Sequence, residues 1–264
     1  MDSLKGKVVL VTGGSSGIGL AAAQGFARAG ARVMIAARGV ERGKAAETAI
    51  RADGGQVQFV PADVSVPADV MRLVNRTVAE FGRLDAAFNN AADESGTQGV
   101  TAELSEEQFD RALALNLKSV WLCMKHEIRQ MLTQAPPGGA IVNTSSVNGL
   151  GGVPGAGLYA AAKAGVLALT KSAAREYAAR GIRVNALVPG AFRTAMLERV
   201  LRDAGDDEAS RRAAEQRYTQ AIPLGRIGGP EEAAAAAVWL CSDAASFVTG
   251  LSMVVDGGMT SSVR

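Results

Sequence analysis

Short apolar runs rich in β-branched residues recur along this chain, and longer stretches with helical spacing of apolar positions lie between them. Lys7-Val-Val-Leu-Val-Thr12 is the first run, apolar at successive positions, and it predicts a strand buried on both faces. The loop Gly13-Gly-Ser-Ser-Gly-Ile-Gly19 follows, and Leu20 to Ala29 then reads as a helix stopped by Gly30. Arg32 to Ala36 and Val57 to Val60 predict two more strands, separated by a helix over Glu41 to Ala52 that Asp53-Gly-Gly55 closes. Ser65 caps another helix, with Pro67 in its first turn and Gly82 at its end, before a strand over Leu84 to Phe88.

The alternation continues through the second half. Ser105-Glu-Glu-Gln108 is a capping box opening the helix that carries Asn116, and the helical signal runs on through Met131 to the break at Pro136-Pro-Gly-Gly139. Ala140 to Asn143 is a fifth strand, leading directly into Ser145 and Ser146. A helix bearing Tyr159 and Lys163 continues to Ala179 and stops at Gly181, and Arg183 to Val188 is a sixth strand ended by Pro189-Gly190. Thr194 to Gln220 is polar, charged and helix-prone, and its pattern shows no core role; residues 191–225 are therefore read as a lid over the substrate. An alanine-rich helix from Pro230 to Ser242 and a last strand over Ser252 to Val255 complete the chain. Strands alternating with helices in this way predict one α/β domain over residues 1–264. Its core is a doubly wound parallel sheet of about seven strands, with helices on both faces.

Composition excludes more than it assigns. The chain has 264 residues, 48% hydrophobic and 20% charged, with a formal net charge of +2, too small to point to nucleic acid or an anionic membrane. Cys123 and Cys241 fall within apolar helical patterns and read as buried free thiols. His126 is the sole histidine, which excludes a multi-histidine metal site and obliges any Ser-His-Asp triad to use it; a surface or interface role suits it better. The first residues lack a signal-peptide core and no apolar run is long enough to span a bilayer, so a cytoplasmic protein is expected.

The unusual segments cluster at the predicted carboxyl ends of strands, where open α/β sheets bind ligands. Glycines 13, 14, 17 and 19 let the backbone turn tightly and approach a pyrophosphate at the next helix N-terminus, which predicts a dinucleotide site. At the end of the second strand, where an acid would select NAD, stand Ala37 and Arg38. A guanidinium there pairs with a 2′-phosphate, so NADP(H) is preferred and NAD(H) remains the alternative, because Ser16 adds no second cation. Asp63, Asn89 to Ala92 and Pro189 to Thr194 occupy the other strand ends. Tyr159 and Lys163, four apart, share one helix face, and the lysine charge is expected to lower the phenol pKa toward usable acid–base chemistry. Either serine of the pair has the hydroxyl needed to hold a substrate oxygen.

Thr12-Gly-Gly-Ser-Ser-Gly-Ile-Gly19, Asn89-Asn-Ala91, Asn116, Ser146, Tyr159-x-x-x-Lys163, Pro189-Gly190-x-x-x-Thr194 and Val255-Asp-Gly-Gly258 together resemble the short-chain dehydrogenase/reductase family, in order and over almost the whole chain. The resemblance implies a Rossmann fold and hydride exchange between a nicotinamide cofactor and a secondary alcohol or ketone. Tyr159 is then the general acid and base, Lys163 holds its charge and the nicotinamide ribose, Ser146 rather than Ser145 holds the substrate oxygen, and Asn116 completes a water-mediated proton path to Lys163. The same transfer assigns the cofactor to Gly13, Ser15, Ser16, Gly17, Ile18, Gly19, Ala37, Arg38, Asp63, Val64, Asn90, Ala91, Tyr159, Lys163, Pro189, Gly190, Phe192 and Thr194. It also implies a homotetramer, while the charge, the single histidine and the lack of a long apolar run lead to no expected nucleic acid, metal or membrane partner. Ala92 departs from the family, which usually has glycine there. A non-catalytic NADP(H)-binding sensor on the same fold is the competing reading, and the complete Asn116, Ser146, Tyr159 and Lys163 set argues against it. Nothing in the residues selects one substrate.

Overall fold

The computed structural model describes residues 3–94, 96, 98–205 and 207–261. Seven parallel strands, β1 (Val8–Thr12), β2 (Arg32–Ala37), β3 (Gln56–Pro61), β4 (Ala86–Asn89), β5 (Gly139–Thr144), β6 (Ile182–Pro189) and β7 (Ser252–Val255), pair in the order β3-β2-β1-β4-β5-β6-β7. The order reverses between β1 and β4, and a crevice opens there above the carboxyl ends. Register decides how the ends align. Thr12 pairs with Asn89 and Asn89 with Asn143, so Gly13, Asn90 and Thr144 follow at one level.

Successive β1 residues face opposite layers, which is why the strand reads as unbroken apolar sequence. Val9 and Val11 pack with α1 (Gly17–Arg28), α2 (Val40–Ala52) and α9 (Pro230–Cys241) through Phe26, Ile50 and Leu240. Leu10 packs on the other side with α3 (Pro67–Phe81), α5 (Ser119–Thr133) and α6 (Gly157–Tyr177) through Leu73, Met124 and Val166. Ser105 caps α4 (Glu106–Leu113) in the full reciprocal box with Gln108. Both cysteines are buried and free. No helix of the described residues is long and apolar enough to cross a membrane, and no group of metal-ligating side chains occurs among them.

Three features depart from the sequence reading. The helix carrying Asn116 is not uniform, because a π-turn over Ala114–Lys118 separates α4 from α5 and turns Asn116 inward. The segment read as having no core role forms α7 (Ala195–Asp203) and α8 (Glu208–Ala221), which close a small core of their own with Leu197, Leu201, Ala214, Ile222 and Ile227. Ser65 does not cap α3: Val66 holds the N-cap position without a side-chain bond, and the Ser65 hydroxyl donates to Asp63 Oδ1 instead.

Candidate active site

The crevice is a cavity of about 410 Å³, within the range of small-molecule and cofactor sites. Gly13, Ser15, Ser16, Gly17, Ile18, Ala37, Arg38, Asp63, Val64, Asn90, Ala91, Ser146, Tyr159, Pro189, Gly190, Phe192 and Thr194 line it. Gly19, Asn116 and Lys163 are buried behind its wall.

The glycine loop is shaped by contacts that leave no room for side chains. Gly13 and Gly17 have φ of 69° and 53°, in the region that favours glycine. A Cβ on Gly19 would stand 2.3 Å from the Gly13 carbonyl oxygen and 2.6 Å from Asn90 Nδ2. Ser16, the residue before α1, makes no side-chain cap, and the N-terminus of α1 meets the cavity through Ser16, Gly17 and Ile18. Thr12 Oγ1 fastens the neighbouring wall by accepting from the N–H groups of Asn90 at 3.0 Å and Ala91 at 3.2 Å. This cradle fits the pyrophosphate of a dinucleotide. Gly19→Ala is expected to weaken dinucleotide binding by tenfold or more, roughly the factor for about 1.4 kcal/mol, as read by fluorescence titration with NADPH; unchanged affinity would contradict the close-approach argument.

Arg38, 60% exposed, leans toward Asp93 with 3.6 Å between nitrogen and oxygen. Arg42, in the first turn of α2, lines the same cavity and lies over Gly39, its Nε 3.4 Å from where a Cβ there would stand. A second guanidinium besides Arg38 therefore lines the cavity, from α2. Its signal in the sequence was a second arginine shortly after Arg38, at the start of the following helix. Asp63 lines the cavity and also closes a turn, accepting from Ser65 N at 2.9 Å and Ser65 Oγ at 2.7 Å.

The two serines diverge. Ser145 Oγ donates to the Lys163 carbonyl at 2.7 Å and is buried, whereas Ser146 faces the cavity and its hydroxyl bonds the Tyr159 phenol. Lys163 Nζ donates to the Thr144 carbonyl at 2.9 Å and lies 5.5 Å from the centre of the Tyr159 ring. Asn116 is held by main chain: its Nδ2 donates to Asp93 O at 2.7 Å and Ala112 O at 3.1 Å, and its Oδ1 accepts from Asp93 N at 3.2 Å.

The electrostatics reverse one expectation. Burial raises the Tyr159 phenol above its ordinary value, the negative charge of Glu94 adds to the rise, and the Ser146 hydrogen bond opposes it. Burial also lowers Lys163 to about 8, against an opposing pull from Glu94. The lysine charge that was to lower the phenol pKa is thus itself desolvated, and exclusion of water outweighs pair attraction. Tyr159 stands as a neutral phenol in this state.

The segment that forms α7 and α8 begins beside the glycine loop. Thr194 caps α7 through Leu197 N at 3.4 Å, and its Cγ2 lies 3.1 Å from where a Gly17 Cβ would stand. Arg193 joins α7 to α8 through Glu198 at 3.2 Å and through Glu215. Arg199 reaches back to Asp93 at 3.5 Å. Phe192 is 6% exposed, lines the cavity and packs into the main core. Asp93, Glu94, Arg42, Arg199, Tyr218 and Met259 line the cavity without having been singled out from the sequence. For Asp93 and Glu94 the only signal was an acid pair after the Asn89–Ala92 turn.

Residues 13–260 match the model of the enoyl-(acyl carrier protein) reductase family. The chain belongs to the short-chain dehydrogenase/reductase family. It is 45% identical to 2,5-dichloro-2,5-cyclohexadiene-1,4-diol dehydrogenase of Sphingobium indicum, covering 98% of this chain and 99% of that one. It is 43% identical to the A-factor type gamma-butyrolactone 1'-reductase (1S-forming) of Streptomyces virginiae, over 97% and 96% of the two chains. The crystal structure of levodione reductase superposes with a TM-score of 0.93 at 37% identity, covering 98% of this chain and 100% of that one. This short-chain dehydrogenase/reductase is accordingly an alcohol and ketone oxidoreductase, and its family uses nicotinamide dinucleotides.

Proposed function

We propose that the protein exchanges hydride between NADP(H) and a secondary alcohol or ketone, with Tyr159 moving the proton. The observation that carries the reading is one cavity in which a buried phenol, bonded by the Ser146 hydroxyl, faces the glycine cradle. The bound nicotinamide supplies or takes the hydride. In reduction, the Ser146 and Tyr159 hydroxyls both donate to the carbonyl oxygen, and the neutral phenol then gives its proton to that oxygen as negative charge develops. In oxidation, Tyr159 must first be ionised, and its phenolate takes the hydroxyl proton. The protonated form of Lys163, 5.5 Å from the ring, favours that ionised state. Asn116 acts here by holding the Asp93 backbone, and so the wall of the cavity, in place.

Arg38 and Arg42 support NADP(H), because two guanidiniums at the end of β2 and the start of α2 suit a 2′-phosphate. Wild-type enzyme is expected to have a higher kcat/KM with NADPH than with NADH. Arg38→Ala and Arg42→Ala should each lower the NADPH value by roughly ten- to a hundredfold, the size of a lost charge-assisted bond, with little change for NADH. A wild-type preference for NADH in steady-state kinetics would overturn the cofactor assignment.

A further inference from the structure

Burial is the larger cause that keeps the Tyr159 phenol neutral and the Glu94 charge only adds to it, so the proton transfer by itself does not account for an acid at this position. Glu94 follows the turn at the end of β4, is half-buried, and lines the same cavity as Ser146, Tyr159 and Tyr218. The loop it sits on is fixed, since Asn116 bonds both the N–H and the carbonyl of Asp93. The Asp93 side chain is turned toward Arg38 on the cofactor side and Arg199 of the lid. Burial, and to a lesser degree the Asp93 charge, raise the Glu94 carboxyl while Arg199 of α7 and Lys163 of α6 oppose the rise, and the Glu94 charge acts in turn on Tyr159 and Lys163 of α6 and on Tyr218 of α8. Phe192, Met196, Val200 and Met259 line the same cavity and give it apolar surface.

We propose that Glu94 is a specificity residue, and that its carboxylate accepts a hydrogen bond from a second hydroxyl of the substrate, so that the substrate class is a diol or polyol with a hydrocarbon frame. An ionised carboxylate offers about four acceptor sites, and a substrate that fills the cavity strips water from whichever of them face it. A second hydroxyl replaces that water; a plain secondary alcohol does not, and a site built to bond a hydroxyl discriminates against the analogue lacking it. The apolar side chains of the cavity receive the carbon frame, while Ser146 and Tyr159 take the reacting oxygen. This inference rests on the proposed reaction.

The test compares kcat/KM for cyclohexanol and the isomeric cyclohexanediols, with NADP+, in wild type, Glu94→Gln and Glu94→Leu. In wild type the best diol is expected to exceed cyclohexanol by about tenfold or more. Glu94→Leu should bring the ratio near parity, and Glu94→Gln, which keeps an acceptor without the charge, should fall between. The same ratio is read without turnover as dissociation constants, by calorimetry on NADP+-loaded Tyr159→Phe and on its double variants with Glu94→Gln and Glu94→Leu. A diol preference that survives in Glu94→Leu, or that survives in Glu94→Gln if the leucine variant does not fold, overturns the assignment to Glu94. A wild type that favours cyclohexanol, or neither turns over nor binds any diol, overturns the substrate class. Failure of the proposed reaction has a different signature, undiminished turnover in Tyr159→Phe.

Discussion

Tyr159→Phe is expected to lower kcat by roughly two to four powers of ten, the range of general acid–base catalysis, while the dissociation constant for NADPH changes by less than about threefold. The ring is 7% exposed and its packing is kept by phenylalanine, so the loss isolates the hydroxyl. A pH dependence follows from the same environment. Burial and Glu94 hold the phenol in its neutral form, so ketone reduction has its acid available across the neutral range. Alcohol oxidation needs the phenolate and should rise as pH increases, with the slope abolished in the phenylalanine variant. Stopped-flow absorbance of the nicotinamide measures both; a variant with wild-type rates would remove Tyr159 from the mechanism.

Glu127→Gln is expected to change how stability depends on pH, with little effect at low pH. Glu127, on α5, is 0% exposed, and burial raises its carboxyl to about 8, against an opposing hydrogen bond from Asn89. Asn89 Nδ2 donates to Glu127 Oε2 at 2.9 Å and to Asn143 Oδ1 at 3.0 Å, and Asn143 Nδ2 donates to Thr170 Oγ1 at 3.0 Å. Among the described residues Glu127 Oε1 and Asn89 Oδ1 have no partner, and a proton on the carboxyl turns one of these acceptors into a donor. The folded state therefore binds a proton that the unfolded chain releases above its ordinary value of 4.5. Stability falls as pH rises from that value through about 8. Glutamine keeps the shape of the protonated acid and cannot ionise. Between pH 5 and 9 wild type should lose on the order of 4 kcal/mol relative to the variant. Lys163 contributes with the opposite sign, because its lowered value makes stability rise with pH above about 8, and this is common to both proteins. Urea unfolding at each pH reads the difference; parallel curves would mean that Glu127 stays ionised.

Both predictions turn on burial, and burial was legible in some segments more than in others. The strands were readable because a parallel sheet covered on both faces demands apolar residues at every position, as in Val8 to Val11. The glycine cradle was readable because the missing side chains are themselves the signal. Glu127 had a signal that went unread: Val120, Met124, Glu127 and Met131 fall on one helix face, so the acid lies on the buried side. The small core of α7 and α8 was hidden because Leu197, Leu201 and Ala214 are scattered among charged residues and meet only when α7 folds against α8. The π-turn at Asn116 had no local mark at all.

Sequence alone determined which groups are present and which lie close along the chain: Tyr159 one helical turn before Lys163, Arg38 at the end of β2, the serine pair after β5. Those relations are local, set by helix and strand periods. The tertiary structure decided what such groups can do. Whether Lys163 lowers the Tyr159 phenol depends on how much water the rest of the chain excludes and on where Glu94 arrives from β4. A pKa sums every neighbour in space and the loss of solvent on all sides, and no spacing along the chain contains that sum.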